Sequence, residues 1–140
     1  MNPGDYQALV DELIRDEGLR LKPYLDEPGK TTIGVGRNLT DTGISEQEAH
    51  YLLANDIERC LSEAQSYPWY ADLNPVRQRV VLNLLFNLGK SRFDMFHHTI
   101  AAIRAKNYDI AAQQMLSSRW ATQVGARAER LARMMRMGST

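Results

Sequence analysis

The chain has 140 residues, 44% of them hydrophobic, and its 17 basic and 17 acidic side chains cancel to a net charge of zero. That length suffices for one compact domain burying roughly two-thirds of its unfolded surface, and the composition excludes a disordered chain. No run approaches the length of a membrane span, and a lone cysteine, Cys60, excludes an intrachain disulfide and suits a reducing compartment.

Neutrality hides an asymmetry. Residues 1–70 hold 6 basic and 13 acidic side chains, residues 71–140 hold 11 and 4. Such halves either create a basic region attracted to an anionic polymer or pair with each other across an interface.

Asn2-Pro3 places a capping residue before a proline at the first helical position. Tyr6, Leu9, Val10, Leu13 and Ile14 then recur at helical spacing, so a helix over 3–17 is expected to bury one face. This start lacks the basic stretch and continuous apolar run of a secretory signal, so a protein made and folded in a cytoplasm is expected. Glu17 closes the helix and Gly18 stops it. A carboxylate there meets the negative end of the helix dipole, which favours its protonated form.

Leu21–Tyr24 reads as a strand, Asp26 stands at its tip before the turn Glu27-Pro28-Gly29, and Thr31–Val35 reads as the return strand with Thr32 inside it. A helix end, a hairpin tip and a returning strand thus meet at one corner. Carboxylates facing across a groove are the machinery of glycoside hydrolysis. A Glu17/Asp26 pair on its own is more often two solvated surface charges. Gly34-Val35-Gly36 is no nucleotide loop, since the third glycine of that pattern falls on Leu39. These glycines suit close approach of backbone or sugar. The Asp26–Gly29 turn lacks the alternating acidic ligands of a calcium loop.

After a turn at Asp41-Thr42-Gly43, Ser45 and Glu48 form a capping box. A helix follows to about Ser66, its stripe including Leu52, Leu53, Ile57 and Cys60, with Asp56 interrupting the inner side. Cys60 reads as a small buried hydrophobe. Tyr67-Pro68-Trp69-Tyr70 is an aromatic loop, more often a plug over a core than a sugar platform. Asn74-Pro75 repeats the cap-and-proline start, and the run from Val80 to Leu88 is apolar nearly all round apart from Asn83 and Asn87, as in a central buried helix. One or two short helices are expected over 93–103 and another over 109–118. The last helix, 125–137, presents Arg127, Arg130, Arg133 and Arg136, with Leu131, Met134 and Met135 inward. His97 and His98 are adjacent and His50 is isolated, so no metal site is expected.

The segment Glu17-Gly18-Leu19-Arg20-Leu21-Lys22-Pro23-Tyr24-Leu25-Asp26, followed by Gly29-Lys30-Thr31-Thr32-Ile33-Gly34-Val35-Gly36, resembles the catalytic signature of the phage-type lysozymes and endolysins, glycoside hydrolase family 24 of the T-even kind. The resemblance extends over nearly the whole chain, strongest over 15–40 and 76–89 and looser after 118. It implies a mostly helical α+β, two-lobed lysozyme fold. The hairpin lobe would span about 15–45, the linking helix about 45–66, and the helical lobe about 74–137 together with the first helix, 3–17.

The same resemblance implies a muramidase that cleaves the β-1,4 bond between N-acetylmuramic acid and N-acetylglucosamine in peptidoglycan. Glu17 would be the general acid, Asp26 the carboxylate opposite, and Thr32 would help hold the attacking water, an arrangement favouring inversion. Gly36, Phe86, Asn87 and Thr99 would contact substrate. Arg127 would pair with Glu17, which sets up a tension: such a partner lowers a carboxyl pKa, whereas general-acid work needs it raised. Arg37 stands where family members carry a histidine, and its expected partner is Asp56. That exchange replaces a group titrating near neutrality with a permanent charge. No cofactor, metal, nucleic acid or membrane insertion is implied. A monomer is expected, waiting in the host cytoplasm for a holin-type pore to reach the wall. The rival readings are a lytic transglycosylase, which needs one acid and no positioned water, and a wall-binding module without turnover.

Overall fold

A computed structural model describes all residues, Met1–Thr140, as eight helices and one three-stranded antiparallel sheet in the order β1-β2-β3. This is the mostly helical α+β class implied by the sequence. By its contacts the chain divides into two compact units, residues 1–51 and 52–140. No helix is long and apolar enough to cross a membrane.

The first unit opens with α1 (Pro3–Glu17). The side chain of Asn2 accepts the amide of Asp5 at 2.8 Å, Pro3 fills the first helical position, and Gly18 ends the helix at φ +82°. The caps are as expected; the burial is not. No residue of α1 is buried, and Tyr6 keeps 62% of its surface exposed. Leu21 and Leu25 of the sheet in the same unit are exposed as well.

The sheet comprises β1 (Arg20–Leu25), β2 (Thr31–Gly34) and β3 (Arg37–Asn38). Tyr24 pairs with Thr32 and Leu25 with Thr31, with an irregularity between Arg20 and Tyr24. On the other side, Thr32 pairs with Asn38 and Ile33 with Arg37. Strand β3 was not expected: two polar residues show no alternation for a pattern to reveal.

Helix α2 (Glu46–Gln65) begins in the first unit and continues into the second. Its capping box is formed as anticipated: the Glu48 amide donates to Ser45 Oγ at 3.1 Å, and the Ser45 amide donates to Glu48 Oε1 at 2.9 Å.

The second unit contains the core. It is built from α3 (Pro75–Leu88), α4 (Lys90–Asp94), α5 (His97–Arg104), α6 (Tyr108–Leu116), α7 (Arg119–Val124) and α8 (Ala126–Met137). Val80, Val81, Leu84 and Leu85 of α3 are fully buried, as a central helix requires. Helix α8 packs on α6, α7 and α3, burying Leu131 and Met135. Cys60 is 2% exposed, the small buried hydrophobe expected. The aromatic loop is a plug: Tyr67 stacks on Trp69 with centroids 4.9 Å apart and meets Phe93 edge-on at 5.6 Å. From Phe93 the contacts continue through Phe96 to Trp120.

Candidate active site

Glu17 is the last residue of α1, set there by the glycine that stops the helix. Its side chain lies against Gly36, which sits at φ +66° between β2 and β3. A methyl group on Gly36 would come 2.8 Å from Glu17 Oε2 and 3.1 Å from its carboxyl carbon. The approach expected at this glycine was of backbone or sugar; what lies against it is the Glu17 carboxylate. The second glycine of the Gly34-Val35-Gly36 run helps place the first carboxylate.

Asp26 follows β1 directly. Its amide donates to the carbonyl of Lys30 at 3.0 Å, and its Oδ1 accepts the Lys30 amide at 2.7 Å. One carboxylate oxygen is thereby tied into the turn while Oδ2 has no protein partner. Thr32 is only 3% exposed, and its hydroxyl donates to the Lys30 carbonyl at 2.9 Å. With its proton so used, the hydroxyl can act only as an acceptor towards anything else. Continuing the register from Tyr24–Thr32 and Leu25–Thr31 puts Asp26 opposite Lys30, so Asp26 and Thr32 occupy diagonal positions on one face of the sheet. The three residues proposed from sequence as catalytic all belong to the first unit.

Arg37 has a different partner from the one expected. Its Nη1 donates to Glu48 Oε1 at 2.9 Å and to the carbonyl of Gly43 at 3.2 Å. Asp56 pairs along its own helix with Arg59 at 3.1 Å. The reason is positional. The capping box has already fixed the Glu48 carboxylate at the start of α2, ready to accept a second donor. The Arg37 guanidinium and the Ser45 amide hold the Glu48 carboxyl down to about 2.

The second unit holds the remaining candidates. Arg127 donates Nε and Nη2 to Asn83 Oδ1, at 3.0 and 2.6 Å. With Asn83, Arg79, Leu82, Phe86, Leu53, Ile57 and Cys60 it lines an apolar cavity of about 460 Å³. Phe86 presents a partly exposed ring there. Asn87 accepts the indole N–H of Trp120 at 2.7 Å, so its side-chain oxygen is already engaged. Thr99 is buried in α5, at the floor of a pocket shared with His97, His98 and Ser118. Sequence reasoning placed Glu48 in its capping box but did not anticipate its pairing with Arg37, or the pairing of Asn83 with Arg127. The signal for Asn83 was present: an amide in an otherwise apolar helix has to be satisfied by something.

Residues 14–136 match the family described as phage lysozyme. The chain belongs to the phage lysozyme family. It is 33% identical over 115 residues to the endolysin of Salmonella phage P22, covering 76% of this chain and 77% of that one. It is 24% identical to a probable T4-type lysozyme of Dictyostelium discoideum, over 94% of this chain and 95% of that protein. It is also 27% identical to the pre-baseplate central spike protein Gp5 of Enterobacteria phage T4, matching 94% of this chain but 28% of that longer protein. The matched span includes Glu17, Asp26, Thr32 and Arg127. Family membership makes the chain a lysozyme-type glycoside hydrolase, for which peptidoglycan is the substrate.

Proposed function

We propose that this lysozyme hydrolyses the β-1,4 bond between N-acetylmuramic acid and N-acetylglucosamine in the bacterial wall, causing lysis. Glu17 is the general acid that protonates the glycosidic oxygen. Asp26 and Thr32 hold the attacking water. Because the Thr32 hydroxyl spends its proton on Lys30, a water between these side chains donates one hydrogen to Thr32 and one to Asp26. As its lone pair bonds to the anomeric carbon, Asp26 takes one of its protons, the glycosidic C–O bond breaks with the Glu17 proton on the departing oxygen, and the product forms with inversion. Of the residues expected to contact the glycan, Phe86 does so through its exposed ring. The observation that most supports this reading is the Glu17 carboxylate fixed against Gly36, in the same unit as Asp26 and Thr32. Acting as a monomer, the enzyme waits in the host cytoplasm and reaches the wall through a holin-type pore.

The test is turbidity loss of chloroform-treated Gram-negative cells with wild type, Glu17→Gln and Asp26→Asn, followed by mass spectrometry of the fragments. Removing a general acid or base typically costs on the order of 10²–10⁴ in rate, so only the wild type should clear within the assay. Reducing N-acetylmuramic ends are expected. Anhydro-muramic ends would identify a transglycosylase instead, and wall binding without fragments a module that does not turn over.

A further inference from the structure

A second cleft lies in the helical unit, and none of its lining residues is assigned above to the glycan or to the reaction. Its cavity measures about 540 Å³ and is lined by Tyr67, Pro68, Trp69, Asp72, Ile100 and Arg104. One wall is the aromatic loop. The other is α5, where Ile100 and Arg104 are one helical turn apart on the same face. The volume is that of an ordinary small-ligand pocket.

Three features give the cleft a definite chemistry. Its aromatic wall is rigid: Tyr67 and Trp69 stack at an interplanar angle of 22°, and the Tyr67 hydroxyl donates to Asp94 and accepts from Lys90. Trp69 is nevertheless only half-buried, so part of a flat indole faces the cavity. Asp72 and Arg104 are exposed and neither forms a salt bridge, leaving one unpaired anion and one unpaired cation beside the indole. A flat apolar face suits the C–H face of a pyranose ring, and an unpaired guanidinium suits a carboxylate in bidentate geometry.

We infer that this cleft is a secondary binding site for muropeptide, with an amino-sugar ring on Trp69 and a stem-peptide carboxylate at Arg104. The inference rests on the peptidoglycan reading given above. Asp72 faces the same space and suits a free amine of the stem. The inner face of the loop plugs the core, and its outer face leaves a half-open indole and two unpaired charges that the plug does not use. The cleft would hold the enzyme on the polymer between cleavage events and take no part in bond breaking.

The probe is N-acetylglucosaminyl-N-acetylmuramyl tetrapeptide, which lacks the bond assigned to hydrolysis. It is titrated into the full chain by isothermal titration calorimetry. Wild type should give a saturable heat change, and Trp69→Phe, which keeps a ring in the plug, should lose it. Arg104→Glu, at an exposed site, should weaken the apparent affinity about tenfold, the scale of a lost charged hydrogen bond. The same disaccharide without its peptide should bind more weakly than the tetrapeptide form. Responses in Trp69→Phe and Arg104→Glu equal to wild type, or equal affinity for both probes, would overturn the assignment. Fragment release from purified sacculi by the same proteins separates the two readings. If wild type releases nothing, the muramidase reading fails while the titration still decides the cleft.

Discussion

Gly36 is where a backbone requirement and a catalytic one coincide. At φ +66° a side chain is strained, and a Cβ would collide with the Glu17 carboxylate. Gly34 shares the first condition, at φ +69°, but not the second, since nothing lies within 4 Å of its would-be Cβ. Ala at either site should destabilise by about 1–2 kcal/mol from left-handed strain alone. Only Gly36→Ala should also displace Glu17 and reduce turnover beyond that loss. Thermal melts and clearing rates of the two variants separate strain from position; equal rates would detach Gly36 from catalysis. Glu48 supplies a second test. Its carboxyl is held at about 2, below its ordinary 4.5, by Arg37 first and Ser45 second. A depressed carboxyl pKa contributes stability above the ordinary value and loses it as pH falls to the folded one. The melting-temperature gap between wild type and Glu48→Gln should therefore be widest above about pH 4.5 and close towards about pH 2. A gap unchanged at pH 2 would mean that the ion pair is not its source.

Helix ends were the most legible elements in the sequence, because their chemistry is local. Asn2-Pro3, Ser45 with Glu48, and Asn74-Pro75 each cap the helix they announce. Asn74 does more than its pattern says: its Oδ1 accepts the Arg77 amide at 2.9 Å while Nδ2 donates to the Gly138 carbonyl at 3.1 Å. Asn74→Ala should cost about 1 kcal/mol or slightly more in urea denaturation, the usual loss for an N-cap. Asn74→Asp, which keeps the cap acceptor and loses only the tie to Gly138, should cost less. What the sequence hid was non-local. The α1 stripe announced a helix but not what would cover it. Arg37 and Glu48 are brought together by the sheet and the start of α2, so no spacing rule connects them. The hairpin positions of Asp26 and Thr32 were readable because a two-residue period and a turn determine them locally; the partner of Arg127 depended on how α8 packs on α3.

Across the whole molecule, charge is divided between the units. Residues 1–51 carry 5 basic and 10 acidic side chains, and residues 52–140 carry 12 and 7. On α8, Arg130 and Arg133 are exposed and form no ion pair. Attraction of the second unit to an anionic wall should then be salt-sensitive. Binding to purified sacculi should fall as salt rises from about 0.01 M to about 1 M, over which the Debye length contracts from about 30 Å to about 3 Å. Arg130→Glu combined with Arg133→Glu should flatten that dependence. Binding indifferent to salt would point to uncharged contacts as its main source.

Both tryptophans, Trp69 and Trp120, stand in the second unit, at the two ends of the aromatic chain that runs through Phe93 and Phe96. The first unit has Tyr6, Tyr24 and Tyr51 but no indole. The protein therefore carries its optical reporters in one unit: emission excited at the indole band arises in the helical core. A denaturation curve drawn from fluorescence and one drawn from activity are measurements of different parts of the chain. Where they coincide the molecule melts as one; where activity fails first, the catalytic unit has opened beneath an unchanged spectrum.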